Sequence, residues 1–481
     1  MNQPTQVAKL ADASPTLSPQ HRHTSTPACD DALPRQHPWH RVARHAWIKP
    51  YHRLIVLVLA INAWWMWPEL QALWLGQWPP LMLLSDAALV NFTVAILIRQ
   101  QHVINLLFKV ATSLPLGAPL WLRWAAGKVY HFGGIHVGAA LAGSVWFALF
   151  AGATAMAIAG HGMSPLSPLS TFLVMAICAL LALMLATAMP WWRQRIHDVF
   201  ERCHRLAGWA LLALFWVLSV SLMLERGLAP AENHLTLTPA ETPLAIAWQL
   251  ISHSWQLVCL ALVTLSVALP WCHLRRVPVR FERPSRHVAI AHFDYGVTPL
   301  VGSSTTLSRR PLLEWHAFAN IPHPTTSGYR LAISRAGDWT GALIDDLPDR
   351  LWVKGIPTAG VGNVDQLFRR VLWVATGSGI GPVLPHILSG KVPSNTLWST
   401  RSPRVTYGDA LVDEILTAQP DCVIWDTDTQ GRPDLVTLTA RAWRESGAEA
   451  VIVIANKTLT DRVVYAMESR GIPAFGAIWD S

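Results

Sequence analysis

The sequence predicts a six-helix transmembrane bundle followed by a cytoplasmic two-part module, a small antiparallel β-barrel and then an α/β parallel-sheet nucleotide-binding domain. Three observations lead there. Of 481 residues, 52% are hydrophobic and only 14% charged, whereas a soluble globule carries about a quarter charged residues. Lys and Arg collect on alternate flanks of the apolar segments. Beyond Arg286 the apolar residues recur in short strand-like runs, and from about residue 366 strands alternate with helices. The net charge of +8 sits mostly at the ends of apolar segments, which reads as a topology signal and not as a nucleic-acid footprint. The expected divisions are a tail (1–50), a transmembrane domain (51–273), a barrel (284–365) and the nucleotide-binding domain (366–481).

Residues 1–50 are rich in Pro, His, Ser and Thr and begin without an apolar run, so they read as a disordered cytoplasmic tail and not a signal peptide. Their scattered histidines are either solvated or metal-binding. Apolar runs near 53–67, 81–98, 134–158, 168–190, 205–224 and 245–270 approach the roughly 20 residues that cross a bilayer. Loops 68–80, 159–167 and 225–244 hold a single cation, Arg226, while the intervening flanks hold clusters such as Arg193, Arg195, Arg202 and Arg205. That alternation puts both termini and the soluble end in the cytoplasm of an integral membrane protein of the plasma or inner membrane. The six cysteines form no CxxC pair, which argues against structural disulfides and against zinc or iron–sulfur sites.

In the soluble end, runs at 287–293, 312–319, 329–334 and 350–355 are broken by Pro, Gly and Ser and predict barrel strands. Runs at 371–375, 395–400, 422–427 and 450–455 alternate with helical stretches near 382–389, 408–418, 432–446 and 458–469, the pattern of a parallel sheet with crossover helices. The turn "GSGIGP" follows the first of these strands. Gly377, Gly379 and Gly381 remove side chains so that backbone N–H groups can approach a pyrophosphate at the helix N-terminus. Ser378, Ile380 and Pro382 complete the turn, Pro382 at the first helical position. The same pattern also serves tight packing alone. The next strand ends in "STRSPRVTY", where Arg401, Arg404 and Tyr407 suit the 2′-phosphate of NADP or form a solvated basic loop.

"EWHAFANIP" (314–322), "AISRAGDWTGAL" (332–343) and "ATGSGIGP", in that order, resemble the flavin barrel and nucleotide loop of the ferric reductase and NADPH oxidase superfamily. The wording from "ATGSGIGPVLPHIL" through "TYGDALVDEI" and "VIWDTD" to "SRGIPAFGAIWDS" looks closer still to the TmpA family of integral membrane flavoproteins. That resemblance implies a ferredoxin–NADP reductase-like module holding FAD and NADPH. By it, His316 and Phe318 lie against FAD, with Gly337, Trp339 and Thr340 near its phosphate or adenine side. Trp479 either stacks on the isoalloxazine ring or closes the last strand. Three positions depart from the pattern: Ala319 replaces a hydroxyl residue, "KGIPT" replaces Gly-Pro-Tyr-Gly, and "NKTLT" stands where reductases carry Cys-Gly-Pro.

Haem-bearing relatives in that superfamily carry two histidines on the third span and two on the fifth, about 20 Å apart along each helix. Here His136 opens the third span and His204 the fifth. They are either the axial pair of one inner b-type haem or interfacial residues. The outer pair is missing, since Phe150 and Val217 stand at those spacings.

These readings predict a flavoprotein oxidoreductase within the lipid bilayer. It would move electrons from NADPH via FAD to an inner haem, a quinone or a small cytoplasmic-side acceptor. The alternative is a non-catalytic sensor that binds FAD or NADP(H) and reports occupancy to a partner. A transporter finds little support, because no pair of spans is broken in matching positions.

Overall fold

The computed structural model describes residues 33–162, 164–228, 254–323 and 327–477. Trp479, residues 1–32 and the start of the sixth apolar run (245–253) lie outside the described residues. Helices α1 (Pro50–Trp65) and α2 (Trp67–Trp74) meet at 69°, and α3 (Leu81–Leu97) and α4 (Gln101–Thr112) meet at 71°. A short α5 (Leu120–Ala126) and a 3-10 turn (Gly127–Phe132) lead into α6 (Gly133–His161). The helices α7 (Pro168–Ala188), α8 (His197–Leu228) and α9 (Trp255–Cys272) follow. Among the described residues, four stretches are long and apolar enough to cross a membrane: Leu120–Gly160, Pro168–Ala188, Val199–Glu225 and Trp255–Cys272. Counting each bent pair as one span raises the number to six.

Large apolar side chains fill the bundle centre, with Leu84, Trp146, Phe147, Phe150, Ile177 and Leu218 buried together. Others, including Val56, Leu57, Ile61, Trp64, Phe172 and Leu265, point outward and exposed. A buried amide pair locks α1 to α3: Asn91 Nδ2 donates to Asn62 Oδ1 at 2.7 Å and Asn62 Nδ2 returns the bond at 3.0 Å. Trp146 Nε1 of α6 donates to the same Asn62 oxygen at 2.9 Å. Satisfied in this way, the amides fix register between helices that apolar contacts alone leave free to slide.

The stretch expected to be a disordered tail is helical at Pro38–Ala43, and His37 N donates to Ser469 O at 2.8 Å. The first helix begins and ends a few residues before the apolar run 53–67, because the chain bends at Met66.

Two four-stranded antiparallel sheets share one core in the barrel. The strands are β1 (Arg275–Pro278), β2 (Arg280–Glu282), β3 (Val288–Phe293), β4 (Ser303–Ser308), β5 (His316–Ala319), β6 (Ile321–Pro322), β7 (Tyr329–Ser334) and β8 (Arg350–Ala359). The orders are β1-β8-β4-β5 and β2-β3-β7-β6. The chain passes between sheets at Val279 and at Asn320, and Phe293, Leu307, Tyr329, Leu331, Ile333 and Leu351 fill the space between them. Helix α10 (Asp338–Asp346) occupies a stretch for which the sequence predicted no helix. Strand β4, "SSTTLS", carries polar Ser303, Thr305 and Ser308 at its buried positions, so no apolar alternation announces it.

Beyond it come β9 (Val371–Thr376), α11 (Ile380–Ser389), β10 (Ser394–Thr400), α12 (Asp409–Ala418), β11 (Val423–Asp426), α13 (Leu435–Ser446), β12 (Ala450–Ile454), α14 (Lys457–Glu468) and β13 (Ala474–Gly476). All five strands are parallel in the order β11-β10-β9-β12-β13. The winding direction reverses between β9 and β12, so the carboxyl ends of these two strands flank the crevice where ligands of such sheets bind. The expected strand–helix alternation is present throughout.

Candidate functional site

The turn after β9 opens onto that reversal point. Its glycines have different reasons to be glycine. Gly377 has φ +51° with open space around it, so it supplies a left-handed turn. A Cβ on Gly379 would overlap the carbonyl oxygen of Ile454 on β12, so that glycine permits close packing. Gly381 is less constrained, with Ala332 O of the barrel 3.6 Å from a Cβ position. Ile380 is buried in the core, while Ser378 and Pro382 face solvent. Gly377 and Ser378 therefore offer backbone to a ligand, and Gly379 and Ile380 hold the turn in place. Pro382 is the third residue of α11 and not the first, still within the turn whose N–H groups lack intrahelical partners.

Arg401 and Arg404 follow the end of β10, and both are exposed. Neither stands alone. Arg404 bonds Asp409 at 2.9 Å and Asp413 at 2.8 Å, and Arg401 Nε lies 3.7 Å from Asp428. Asp426 and Asp428 also hold the turn itself: Ser402 N donates to Asp426 Oδ1 at 2.9 Å and Ser402 Oγ to Asp428 Oδ2 at 2.8 Å. These bonds keep Ser402 at φ +34°, a conformation that side chains rarely adopt. Tyr407 is buried, 4% exposed. Its ring meets Trp398 edge-on at 5.0 Å, and burial pushes its phenol above the ordinary range. Trp398 Nε1 in turn donates to Gly377 O at 3.0 Å, so Trp398 and Tyr407 brace the glycine turn from behind. The carboxylates in "VIWDTD" and "DALVDE" were not singled out from the sequence, although their spacing on the neighbouring strand and helix was visible.

On the barrel side, His316, Phe318 and Trp339 come together. The Trp339 ring stacks on His316 at 4.0 Å and lies 6.1 Å from Phe318, each at 26°. Trp339 Nε1 donates to Glu314 Oε1 at 2.8 Å. Gly337 caps α10, and Thr340 Oγ1 accepts from Gly337 N at 3.1 Å and Ala336 N at 2.9 Å. The result is a half-buried aromatic stack at a helix N-terminus. Beside Ala319, Asn320 is fully buried, with its Oδ1 unpartnered although Nδ2 donates to Ser303 Oγ at 3.0 Å. This spare acceptor sits where α11 packs on β5 and β6.

In the helical bundle, His136 and His204 face each other with ring centroids 6.4 Å apart and planes at 72°. His136 Nδ1 lies 2.8 Å from Ala95 O, and His204 Nδ1 is buried without a partner. Phe150 packs in the bundle core. Among the described residues no cluster of three or more His, Cys, Asp or Glu is arranged to hold a metal ion.

Two segments that sequence reading treated as membrane flanks also bond the barrel and the sheet domain. Arg123 is 4% exposed; it donates to Leu367 O and to Glu449 Oε2, each at 2.8 Å. Lys128 pairs with Glu468 at 2.6 Å and bonds Ala474 O at 2.6 Å. Trp124 Nε1 donates to Glu468 Oε1 at 2.9 Å. From α4, Gln101 Oε1 accepts from Ile356 N at 2.9 Å, and Asn105 bonds Pro357 O at 3.0 Å and Ala359 N at 2.8 Å. The "KGIPT" stretch, which departs from flavin reductases, is the stretch that α4 holds.

Residues 361–481 match the family model of the adenylate-forming reductase 03009 C-terminal domain. Over 442 residues the chain is 42% identical to adenylate-forming reductase 03009 of Coprinopsis cinerea, a match covering 92% of this chain and 41% of that protein. Adenylate-forming reductase 06235 of the same fungus is 40% identical over 446 residues, with the same coverages. The chain thus spans about two fifths of the length of the curated relatives it matches. These matches overturn the resemblance to the TmpA family and, through it, to the ferric reductase and NADPH oxidase superfamily. The similarity to these two proteins extends over 92% of this chain, whereas the TmpA likeness was carried by separated motifs. Among solved structures, the chain is similar to a ferredoxin NADP+ reductase from Neisseria gonorrhoeae with bound FAD and NADP (12% identity, TM-score 0.34, 43% of this chain and 98% of that one). It is also similar to full-length CYP116B46 from Tepidiphilus thermophilus (19% identity, TM-score 0.36, 42% and 28%). The two-part architecture rests on the strand orders described above and not on these scores.

Proposed function

We propose that this chain is an NADPH-dependent oxidoreductase module anchored in a membrane, with FAD between the nicotinamide and the acceptor. The observation that supports it best is the glycine turn at the reversal point of a five-stranded parallel sheet, beside a barrel with a half-buried aromatic stack. The relatives' name, reductase, agrees. When bound, NADPH supplies a hydride that FAD can pass on as single electrons. The chain's own part is positioning. Gly377 and Ser378 present backbone N–H groups to a pyrophosphate, with the end of α11 favouring its charge. Arg401 and Arg404 suit a 2′-phosphate after exchanging their aspartate partners, so this fit is partial. His316, Phe318 and Trp339 provide an apolar face for a flavin or its adenine, and the Asn320 Oδ1 acceptor supplies polarity where Ala319 has none. Trp479 is proposed to cover the flavin until nicotinamide displaces it.

His136 and His204 fit an axial pair for a single b-type haem as one acceptor. A donor bond from His136 Nδ1 to Ala95 O leaves Nε2 unprotonated for a metal, and the two rings meet edge to face with centroids 6.4 Å apart. A quinone or a small cytoplasmic-side acceptor would need neither residue. The outward apolar side chains and the alternation of cations support membrane placement with both ends cytoplasmic.

An optical spectrum of the detergent-purified protein tests the proposal. Flavin bands bleached by NADPH are expected, with a Soret band lost in His136→Ala if haem is the acceptor. A protein that binds FAD or NADP(H) without turnover, as the aspartate-neutralised Arg404 would favour, points to the sensor reading. A colourless protein that does not oxidise NADPH ends the redox proposal.

A further inference from the structure

A cavity of about 80 Å³ lies where the start of α1, the Gly127–Phe132 turn, α14 and the end of β13 converge. None of the residues proposed for flavin, dinucleotide or haem lines it. Its wall carries four cations (Arg44, Lys49, Lys128 and Lys457) and two carboxylates (Asp461 and Glu468), a formal excess of two positive charges. Each carboxylate already holds one lysine, Lys49 to Asp461 at 2.7 Å and Lys128 to Glu468 at 2.6 Å. His131, 7% exposed, also lines the cavity, and its Nδ1 is buried without a partner. Leaving such a group unpaired is costly, and a charged acceptor removes the cost.

The cavity has room for several waters and so for one tetrahedral oxyanion. The cavity also sits at the polar end of α1, whose exposed side chains Val56, Leu57 and Ile61 are apolar. We propose that this cavity binds a phosphate group, held by the lysine and arginine charges with His131 Nδ1–H donating to one oxygen. Two sources share that chemistry: the headgroup of an anionic phospholipid, and free phosphate from the cytoplasm. The site is independent of the redox reading, and only the lipid source depends on membrane placement.

The test uses the full chain. Thermal stability is followed in detergent with inorganic phosphate, and in nanodiscs of phosphatidylcholine with and without phosphatidic acid. Stabilisation by inorganic phosphate identifies a free-anion site. Stabilisation by phosphatidic acid alone identifies a headgroup site. In either case His131→Phe and, as a variant at the half-buried margin, Arg44→Gln should each weaken binding about tenfold, the loss of one charge-assisted hydrogen bond. His131→Gln, which keeps a donor, should retain most of it. No response to either probe, or equal affinity in the parent, His131→Phe and Arg44→Gln, overturns the proposal.

Discussion

Replacing Arg123 by Met should loosen the soluble module from the helical segment, and the structure sets the size of the effect. The guanidinium is 4% exposed and bonds Ala118 O at 2.9 Å, Leu367 O at 2.8 Å and Glu449 at 2.8 Å. Removing one partner of a buried ion pair costs about 3–5 kcal/mol. Glu449 is 22% exposed and keeps a bond from Arg369 N at 2.9 Å, so the lower end applies. About 3 kcal/mol lowers the melting temperature by roughly 6–12 °C for a cooperative unit of 150–250 residues. The assay is a thermal melt of the purified full chain by differential scanning calorimetry. Arg369→Met is the control: it is 66% exposed and 3.7 Å from Glu449, so little change is expected. Arg123→Met with Glu449→Leu should recover part of the loss, because both charges are gone. Acid adds a second signature. Burial alone would raise the Glu449 carboxyl, but the Arg123 hydrogen bond and the Arg369 N–H outweigh it and hold it below the usual range. Its stabilisation is therefore present above the ordinary carboxylate pKa and lost as pH falls through the lowered value. The gap between parent and Arg123→Met should narrow there. A variant melting within a degree or two of the parent at neutral pH would refute the clamp.

Two further outcomes follow from the site and its surroundings. Gly379→Ala should destabilise the protein far more than Gly377→Ala, since the first drives a methyl into Ile454 O while the second meets only a left-handed backbone cost of about 1–2 kcal/mol. Equal melting temperatures for the two would contradict the division of labour in the turn. Lys354 lies between Trp271 and Trp315, 4.6 and 4.4 Å from their ring centres, and burial with Arg205 nearby pulls its ammonium down to about 8. Because the unfolded chain binds this proton up to about pH 10.4, stability should rise with pH between about 8 and that value. Melting curves of the parent and Lys354→Met taken across that window should converge or cross. Parallel curves would show that the indole faces hold the lysine fully charged.

The helices were legible because bilayer-length apolar runs leave few alternatives, and the parallel sheet because buried strands such as "VLWVA" and "AVIVIA" alternate with amphipathic helices. What escaped was settled by partners distant in sequence. Arg123 and Lys128 look like ordinary flank cations until Glu449 and Glu468, more than three hundred residues away, fold against them. The same holds for Arg404, whose charge reads as free until Asp409 and Asp413 turn toward it. Helix α10 was missed because "GDWTGALIDD" has strong turn residues at its start and weak periodicity after it. The glycine turn was found, but not which glycine serves packing, since that depends on β12 lying alongside.

The pairing of β1 with β8 ends at Val353, so the rest of β8 would present bare amides and carbonyls along one side. Gln101 and Asn105 of α4 act as a substitute strand there, built from two side-chain carboxamides. Cutting the helical half away would uncover a sticky rim ready to recruit another copy's backbone. Two side chains of the helical segment thus cover backbone that the barrel's own strands leave open.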